Sequence, residues 1–120
     1  MRWVFALALV AGCSKGPEDP RADLVAKWKE GGITVGAMEP AQAGFGADCK
    51  QTTVKALEVL LCTYQSPEAA KAAEDPALTW IGEATGAAKA SGKVLVAVVD
   101  RRKTDPSGKT INQLMKLTPK

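Results

Sequence analysis

The segment Cys49–Cys62, "CKQTTVKALEVLLC", decides the fold that the sequence predicts. Two strand-like runs flank Lys55-Ala56, so the segment can form a β-hairpin with these two residues at the turn. The register then pairs Val54 with Leu57, Thr52 with Val59, and Cys49 with Cys62. Counting out from the turn, the cysteines form a non-hydrogen-bonded pair, whose Cα atoms approach to about 4.5 Å. That separation suits a disulfide bond. A shifted register or longer loop is the alternative, because Lys-Ala lacks the residues that two-residue turns prefer.

The two hairpin cysteines also bear on function. A disulfide closing so short a loop stabilises a fold by roughly 3 kcal/mol on the chain-entropy model. Catalytic dithiols usually form a Cys-x-x-Cys motif at a helix N-terminus, whereas twelve residues separate Cys49 from Cys62 in strand-like sequence. The spacing therefore favours a structural disulfide. A thiol-active pair is the alternative.

Patterns on either side of the hairpin predict the remaining elements. Before it, the sequence indicates a helix over 21–30, a strand over 33–38 and a loop over 40–48. The second hairpin strand covers 57–65. Ser66-Pro67-Glu68 is a helix start, with a cap residue, proline at the first helical position and an acid. Pro76 interrupts this helix, and a second helix is predicted over 77–91.

The last third of the chain contains the strongest strand pattern. Lys93–Asp100, "KVLVAVVD", is nearly all apolar. This pattern is typical of a central strand that is covered on both faces, or covered by helices on one face and by a partner on the other. After the turn "TDPSGK", apolar residues recur at helical spacing from Ile111 to Leu117, which favours a final helix over a terminal strand. The predicted fold is α+β. It has a small, mainly antiparallel sheet of about four strands, helices packed on one side, and one disulfide-stapled hairpin.

The N-terminus has the layout of an export signal. Arg2 supplies a positive charge, residues 3–10 are apolar, and Ala11-Gly12 are small. The run is too short to span a membrane as a helix. Val10-Ala11-Gly12-Cys13, extended by Leu9, resembles the lipobox of bacterial lipoproteins. An intracellular protein with an ordinary N-terminal segment is the alternative.

The lipoprotein resemblance implies a division of the chain and a location. Residues 1–12 would be the signal peptide, and Cys13 would be the lipidated first residue of the mature chain. Residues 13–22 would form the lipidated cysteine and a flexible tether, and residues 23–120 a single globular domain. The resemblance places the protein in the bacterial cell envelope, and Ser14 favours the outer membrane, facing the periplasm. With Cys13 lipidated, Cys49 and Cys62 remain to pair in an oxidising compartment.

Charge is unevenly distributed along the chain. Residues 13–88 contain seven Lys/Arg and eleven Asp/Glu, whereas residues 89–120 contain eight Lys/Arg and two Asp. This basic last quarter predicts contact with anionic headgroups or an envelope polymer, and the candidate residues are Arg101, Arg102, Lys103 and Lys109. A solvated basic edge is the alternative. Nucleic acid is not an expected partner in the envelope.

Composition limits the chemistry that the chain can perform. The sequence contains no histidine, which excludes Ser-His-Asp and Cys-His catalysis and the usual histidine-containing zinc sites. "DPSGKT" at 105–110 lacks the first glycine of a phosphate-binding loop, since Lys103 stands at that position. We expect no cofactor, no metal and no enzymatic activity. The predicted function is a membrane-anchored envelope lipoprotein acting as a binding or accessory module, with a thiol-active envelope protein using Cys49 and Cys62 as the alternative.

Overall fold

A computed structural model describes residues 19–45 and 48–119. The predicted signal peptide, Cys13 and the tether as far as residue 18 lie outside the described residues. In chain order the elements are α1 Pro20–Glu30, β1 Glu39–Ala41, β2 Asp48–Val54, β3 Leu57–Thr63, α2 Pro67–Ala72, α3 Glu74–Ile81, β4 Thr85–Ser91, β5 Val94–Asp100 and α4 Lys109–Leu117.

The five strands form one open antiparallel sheet in the order β1-β2-β3-β5-β4. The α+β class is therefore confirmed, with one strand more than the sequence predicted. Strands β3 and β5 lie at the centre, and every residue of β5 is buried. This agrees with the nearly continuous apolar pattern of its sequence.

The hairpin β2–β3 has the predicted register. Val54 pairs with Leu57, Thr52 with Val59 and Cys49 with Cys62. The turn residues Lys55 and Ala56 take positive φ values of 57° and 153°. Neither residue is a glycine, for which positive φ values carry no steric cost. The antiparallel pairing of β2 with β3 therefore holds the turn in this conformation.

The sheet separates two cores, because side chains alternate between its faces. One core joins α1 and α4 to the odd-numbered residues of β3 and the even-numbered residues of β5. Its buried members are Leu24, Trp28, Ile33, Val54, Leu57, Val59, Leu61, Val94, Val96, Val98, Ile111 and Leu114. The other core joins Ala73, between α2 and α3, and Ala77 of α3 to the sheet residues Cys49, Leu60, Cys62, Leu95 and Ala97.

Helices therefore cover both faces of the sheet, and the expectation of helices on one side is wrong. The physical reason lies in β3 and β5, which present apolar residues on both faces in successive positions. Burying both faces requires a helical layer on each. We call them the α1/α4 face and the α2/α3 face.

Residues 85–91 form the edge strand β4 and not the end of a helix. The helix α3 ends at Ile81, and Gly82 adopts a φ of 69° directly after it. Gly92, with a φ of 57°, and Lys93 then form the two-residue turn that returns the chain into β5. Alanine has the highest helix propensity of all residues, but tertiary contacts can override propensity, and pairing with the apolar strand β5 does so here.

Two further boundaries differ from the predictions. The segment 33–38 is not a strand, although its Gly36 amide donates to the Thr53 carbonyl oxygen at 2.9 Å. Pairing begins only at β1, and Ile33 instead packs in the α1/α4 core. Residues 20–22, which the lipoprotein resemblance placed in the tether, form the first turn of α1, one residue earlier than the predicted helix over 21–30. The Asp19 side chain caps that turn by accepting a hydrogen bond from the Arg21 amide.

Candidate functional site

The disulfide between Cys49 and Cys62 lies within the α2/α3 core. It joins neighbouring strands, with the two Cα atoms 4.0 Å apart. Cys49 is 5 % exposed and Cys62 is fully buried. Ala73, Ala77 and Leu95 belong to the same buried cluster as the bridge. The disulfide is thus part of the packed interior and offers little surface to an attacking thiolate.

The predicted basic site is divided between the two faces of the sheet. The Arg101 guanidinium lies 5.1 Å from the Trp80 ring centroid and donates to the Trp80 carbonyl oxygen at 2.9 Å. It also forms an ion pair with Glu58 at 3.5 Å. These contacts belong to the α2/α3 face, whereas Lys109 begins α4 on the opposite face. Arg102 and Lys103 are exposed in the turn that follows β5.

Two buried aspartates hold the chain between β5 and α4. Asp100 accepts hydrogen bonds from the Thr104 amide, the Thr104 hydroxyl and the Asp105 amide. Burial alone raises the pKa of the Asp100 carboxyl, but these hydrogen bonds outweigh it and hold the pKa below its ordinary value. Asp105 in turn accepts from the Thr110 and Ile111 amides at 3.0 Å and so caps α4. The "DPSGKT" segment is therefore a turn and helix cap.

A buried arginine, the first residue of the predicted helix and placed in the tether by the lipoprotein resemblance, fixes the start of the domain. Arg21 is 4 % exposed. Its guanidinium pairs with Asp19 at 2.9 Å and with Asp48 at 3.1 Å, and it donates to the Asp48 and Leu61 carbonyl oxygens. We call these groups the Arg21 clamp. The sequence signal that could have placed the helix start here is Asp19-Pro20, an aspartate cap followed by proline at the first helical position.

The clamp joins α1 to one end of the sheet. Asp48 pairs with Thr63, and Thr63 pairs with Val94, so the start of β2, the end of β3 and the start of β5 lie together there. We call this the entry end. Arg101 follows the last residue of β5 and therefore lies at the other end. Seven-residue strands separate the two ends by about 20 Å.

A lysine-lined groove of about 950 Å³ runs between the edge strand β4 and α4. Its lining includes Lys89, Lys109, Lys116, Ser107 and Asn112, and no acidic residue. The Lys89 ammonium donates to the Met115 and Thr118 carbonyl oxygens at 3.1 and 2.6 Å. It thereby ties β4 to the C-terminal turn of α4. Lys109 and Lys116 are exposed.

A smaller groove of about 320 Å³ lies on the α2/α3 face beside Trp80, and Glu39, Glu58 and Gln51 are among its lining residues. Across residues 19–45 and 48–119, no group of three His, Cys, Asp or Glu side chains is arranged to hold a metal ion. No helix in the described part of the chain is both long and apolar enough to cross a membrane. The groove shows no pairing of a nucleophile with a base among its lining residues.

Comparisons with protein-family models, with curated proteins and with solved structures find no match to this chain.

Proposed function

We propose that the protein is a lipoprotein of the bacterial cell envelope, anchored through Cys13 and acting as a non-enzymatic binding or accessory module. The observation that carries the proposal is the buried disulfide in the α2/α3 core. With Cys49 and Cys62 joined, Cys13 is the remaining cysteine of the three in the sequence. It stands in the lipobox-like segment, and a disulfide within the core suits an oxidising compartment.

The start of the domain supports an anchored arrangement. Five residues lie between Cys13 and Asp19, where the Arg21 clamp begins, so six Cα–Cα steps join them. A chain of that length reaches at most about 22 Å. The entry end of the sheet would therefore stay close to the bilayer, and two or three acyl chains on Cys13 would make the attachment durable.

This arrangement bears on the predicted anionic contact. Arg102 and Lys103 lie at the end of the sheet away from the tether. With the entry end of the sheet facing the bilayer, these two residues would point away from the headgroups and towards the periplasm. An anionic envelope polymer is then a better partner for this turn than the lipid surface of the protein's own membrane. We propose the outer membrane, on its periplasmic side, as the location.

The alternative function, thiol or disulfide exchange through Cys49 and Cys62, has less support. Exchange requires a thiolate to reach a sulfur atom, and both cysteines are buried among apolar side chains. No histidine exists in the sequence to activate a thiol.

A cysteine variant tests the proposed anchor. We expect the wild-type protein, produced with its own N-terminus in a bacterial host, to sediment with membranes and to dissolve in detergent. Cys13→Ala should abolish lipidation and release the protein from washed membranes, or leave it as an uncleaved precursor that lacks lipid. Cys62→Ala, which removes a core cysteine and not the proposed lipid site, is the control and should keep its lipid. Equal lipid content in the Cys13→Ala variant and the wild type would contradict the proposal.

A further inference from the structure

The edge strand β4 has unpaired backbone groups on its outer side. Pairing with β5 uses alternate residues of an antiparallel strand. The Ala90 amide points away from β5, since it donates to Glu74 Oε2 at 2.9 Å. By the same alternation the Ala88 amide also points outwards. Among the described strands β4 is the last in the sheet, so Ala88 offers a donor and an acceptor to a further strand.

The side chains of β4 leave space for such a strand. Five of its seven residues are glycine, alanine or serine, and a small side chain allows close approach of another backbone. Glu74 already occupies the Ala90 amide, so an added strand would pair around Ala88 and not over the whole edge. Grooves flank the edge on both faces of the sheet, the lysine-lined groove on one and a groove with Lys71 and Glu74 on the other.

The charged residues that line the groove beside this edge on the α1/α4 face are all positive. On the α1/α4 face the lining cations are Lys89, Lys109 and Lys116, with no carboxylate among the lining residues. Lys89 is held by two carbonyl oxygens. Lys109 and Lys116 form no ion pair with any other residue in the described ranges. Two lysines that line this groove therefore have no carboxylate partner within the described ranges.

We propose that β4 is the docking edge for an extended acidic segment of a partner protein, which adds to the sheet as a sixth strand and directs carboxylates towards Lys109 and Lys116. Strand addition of this kind obtains affinity from main-chain hydrogen bonds and specificity from alternate side chains. Every second side chain of the added strand would face α4, so acidic residues at alternate positions fit the groove. This inference deepens the proposed function and rests on the binding role, not on the lipid anchor.

Charge argues against a second copy of the chain as the occupant. Two copies pairing β4 antiparallel in a continuous sheet would place their α4 helices on the same face. Lys109 and Lys116 of one copy would then approach those of the other without an intervening carboxylate. Repulsion between like charges disfavours that association. The carboxylates of an acidic segment would instead be attracted to the same lysines.

The test uses the full-length protein and a synthetic peptide of alternating glutamate and valine. We expect fluorescence anisotropy to show saturable binding at low ionic strength that weakens as salt is added. The matched control peptide, with lysine in place of glutamate, should not bind. In NMR spectra the Ala88 amide should shift and exchange more slowly with solvent when the acidic peptide is present.

Two variants separate the backbone and charge contributions. Ala88→Pro removes one outward amide from an edge strand, a position where proline is tolerated, and should weaken peptide binding at least about tenfold. The double variant Lys109→Glu/Lys116→Glu changes only exposed side chains and should weaken it to a similar extent. Lys29→Glu, at an exposed position of α1 that lines neither groove, is the control and should bind within about twofold of the wild type.

Absence of binding to the acidic peptide would overturn the proposal, and so would equal binding to both peptides or to the charge-reversed variant. Self-association that consumes the Ala88 amide would show that a second copy is the occupant. If Ala88→Pro fails to fold, the charge-reversed variant and the NMR shift still decide. Because these measurements contain no membrane, their failure is distinct from a failure of the Cys13 anchor.

Discussion

Arg21 shows how one side chain can determine where a domain begins. Its guanidinium is buried but has a carboxylate partner on each side and two carbonyl oxygens within hydrogen-bonding distance. Asp19 and Asp48 are considerably more exposed than Arg21. The cation is therefore the desolvated member of the cluster, and its hydrogen bonds offset the cost of burying it.

Replacing this arginine should destabilise the domain. Arg21→Met keeps much of the packed volume but removes the hydrogen bonds to Asp19, Asp48 and the two carbonyl groups, and we expect a loss of about 2 kcal/mol in the free energy of unfolding. Denaturant unfolding at neutral pH measures it. Lys50→Met removes only the weaker 3.9 Å contact with Asp19 and should cost less than about 0.5 kcal/mol. Equal stability of Arg21→Met and wild type would contradict a structural role for the clamp.

The clamp also predicts a dependence of stability on pH. The hydrogen bond from the Arg21 side chain is the main reason that the pKa of Asp19 lies below its ordinary value of 3.8. A carboxyl whose pKa is lower in the folded state contributes stability above its unfolded pKa, and loses it as pH falls through the folded pKa. The free energy of unfolding, measured at pH 6 and at successive pH values below about 4, should therefore fall more steeply with decreasing pH in the wild type than in Arg21→Met. Parallel curves would argue against this coupling.

Among the elements, the hairpin β2–β3 depends on its disulfide. The bridge closes a loop of sequence separation 13, for which the chain-entropy model gives about 3 kcal/mol. Reduction of the wild-type protein should lower the free energy of unfolding by about that amount. The free energy of unfolding of the double variant Cys49→Ala/Cys62→Ala should not change when reductant is added. This variant therefore separates loss of the bridge from other effects of the reductant. Unchanged stability of the wild type after verified reduction would contradict a stabilising bridge.

The edge strand β4 depends on a glycine. A Cβ atom at Gly86 would meet the Val98 carbonyl oxygen and would lie 2.8 Å from Ile81 Cγ2. The first neighbour is backbone of the central strand β5 and cannot yield cheaply. Gly86→Ala should therefore cost about 2 kcal/mol in thermal or denaturant unfolding. Thr85→Ala, at an exposed neighbouring position, should stay within about 0.5 kcal/mol of wild type.

The elements also show what sequence patterns could and could not predict. The β2–β3 register and β5 followed from turn counting and from apolar continuity, since both depend on local spacing. The strand β4 did not, because "TGAAKAS" has helix-favouring alanines and becomes a strand only through pairing with β5. Arg21 was missed because a charged residue near a proline-rich segment is normally solvated. Its burial depends on Asp48, which is distant in sequence.

At the scale of the whole molecule, the domain has two distinct ends. The chain enters at the Arg21 clamp, the central strand β5 leads away from it, and Arg102 and Lys103 lie at the far end. The lysine groove and the edge of β4 run along the side. An anchored domain of this shape would present its edge and its basic turn to the periplasm. Of the residues predicted to contact an anionic partner, Arg101 lies on the α2/α3 face and Lys109 on the α1/α4 face, because the end of β5 and the start of α4 diverge to opposite faces.

The most direct test of the central claim is the intact mass of the protein extracted from bacterial membranes, with thiols alkylated before and after reduction. We expect a chain that begins at Cys13, carries the mass of its lipid, and takes up two alkyl groups only after reduction. A chain that retains Met1, carries no lipid and is alkylated at all three cysteines without reduction would contradict both the anchor and the oxidising compartment.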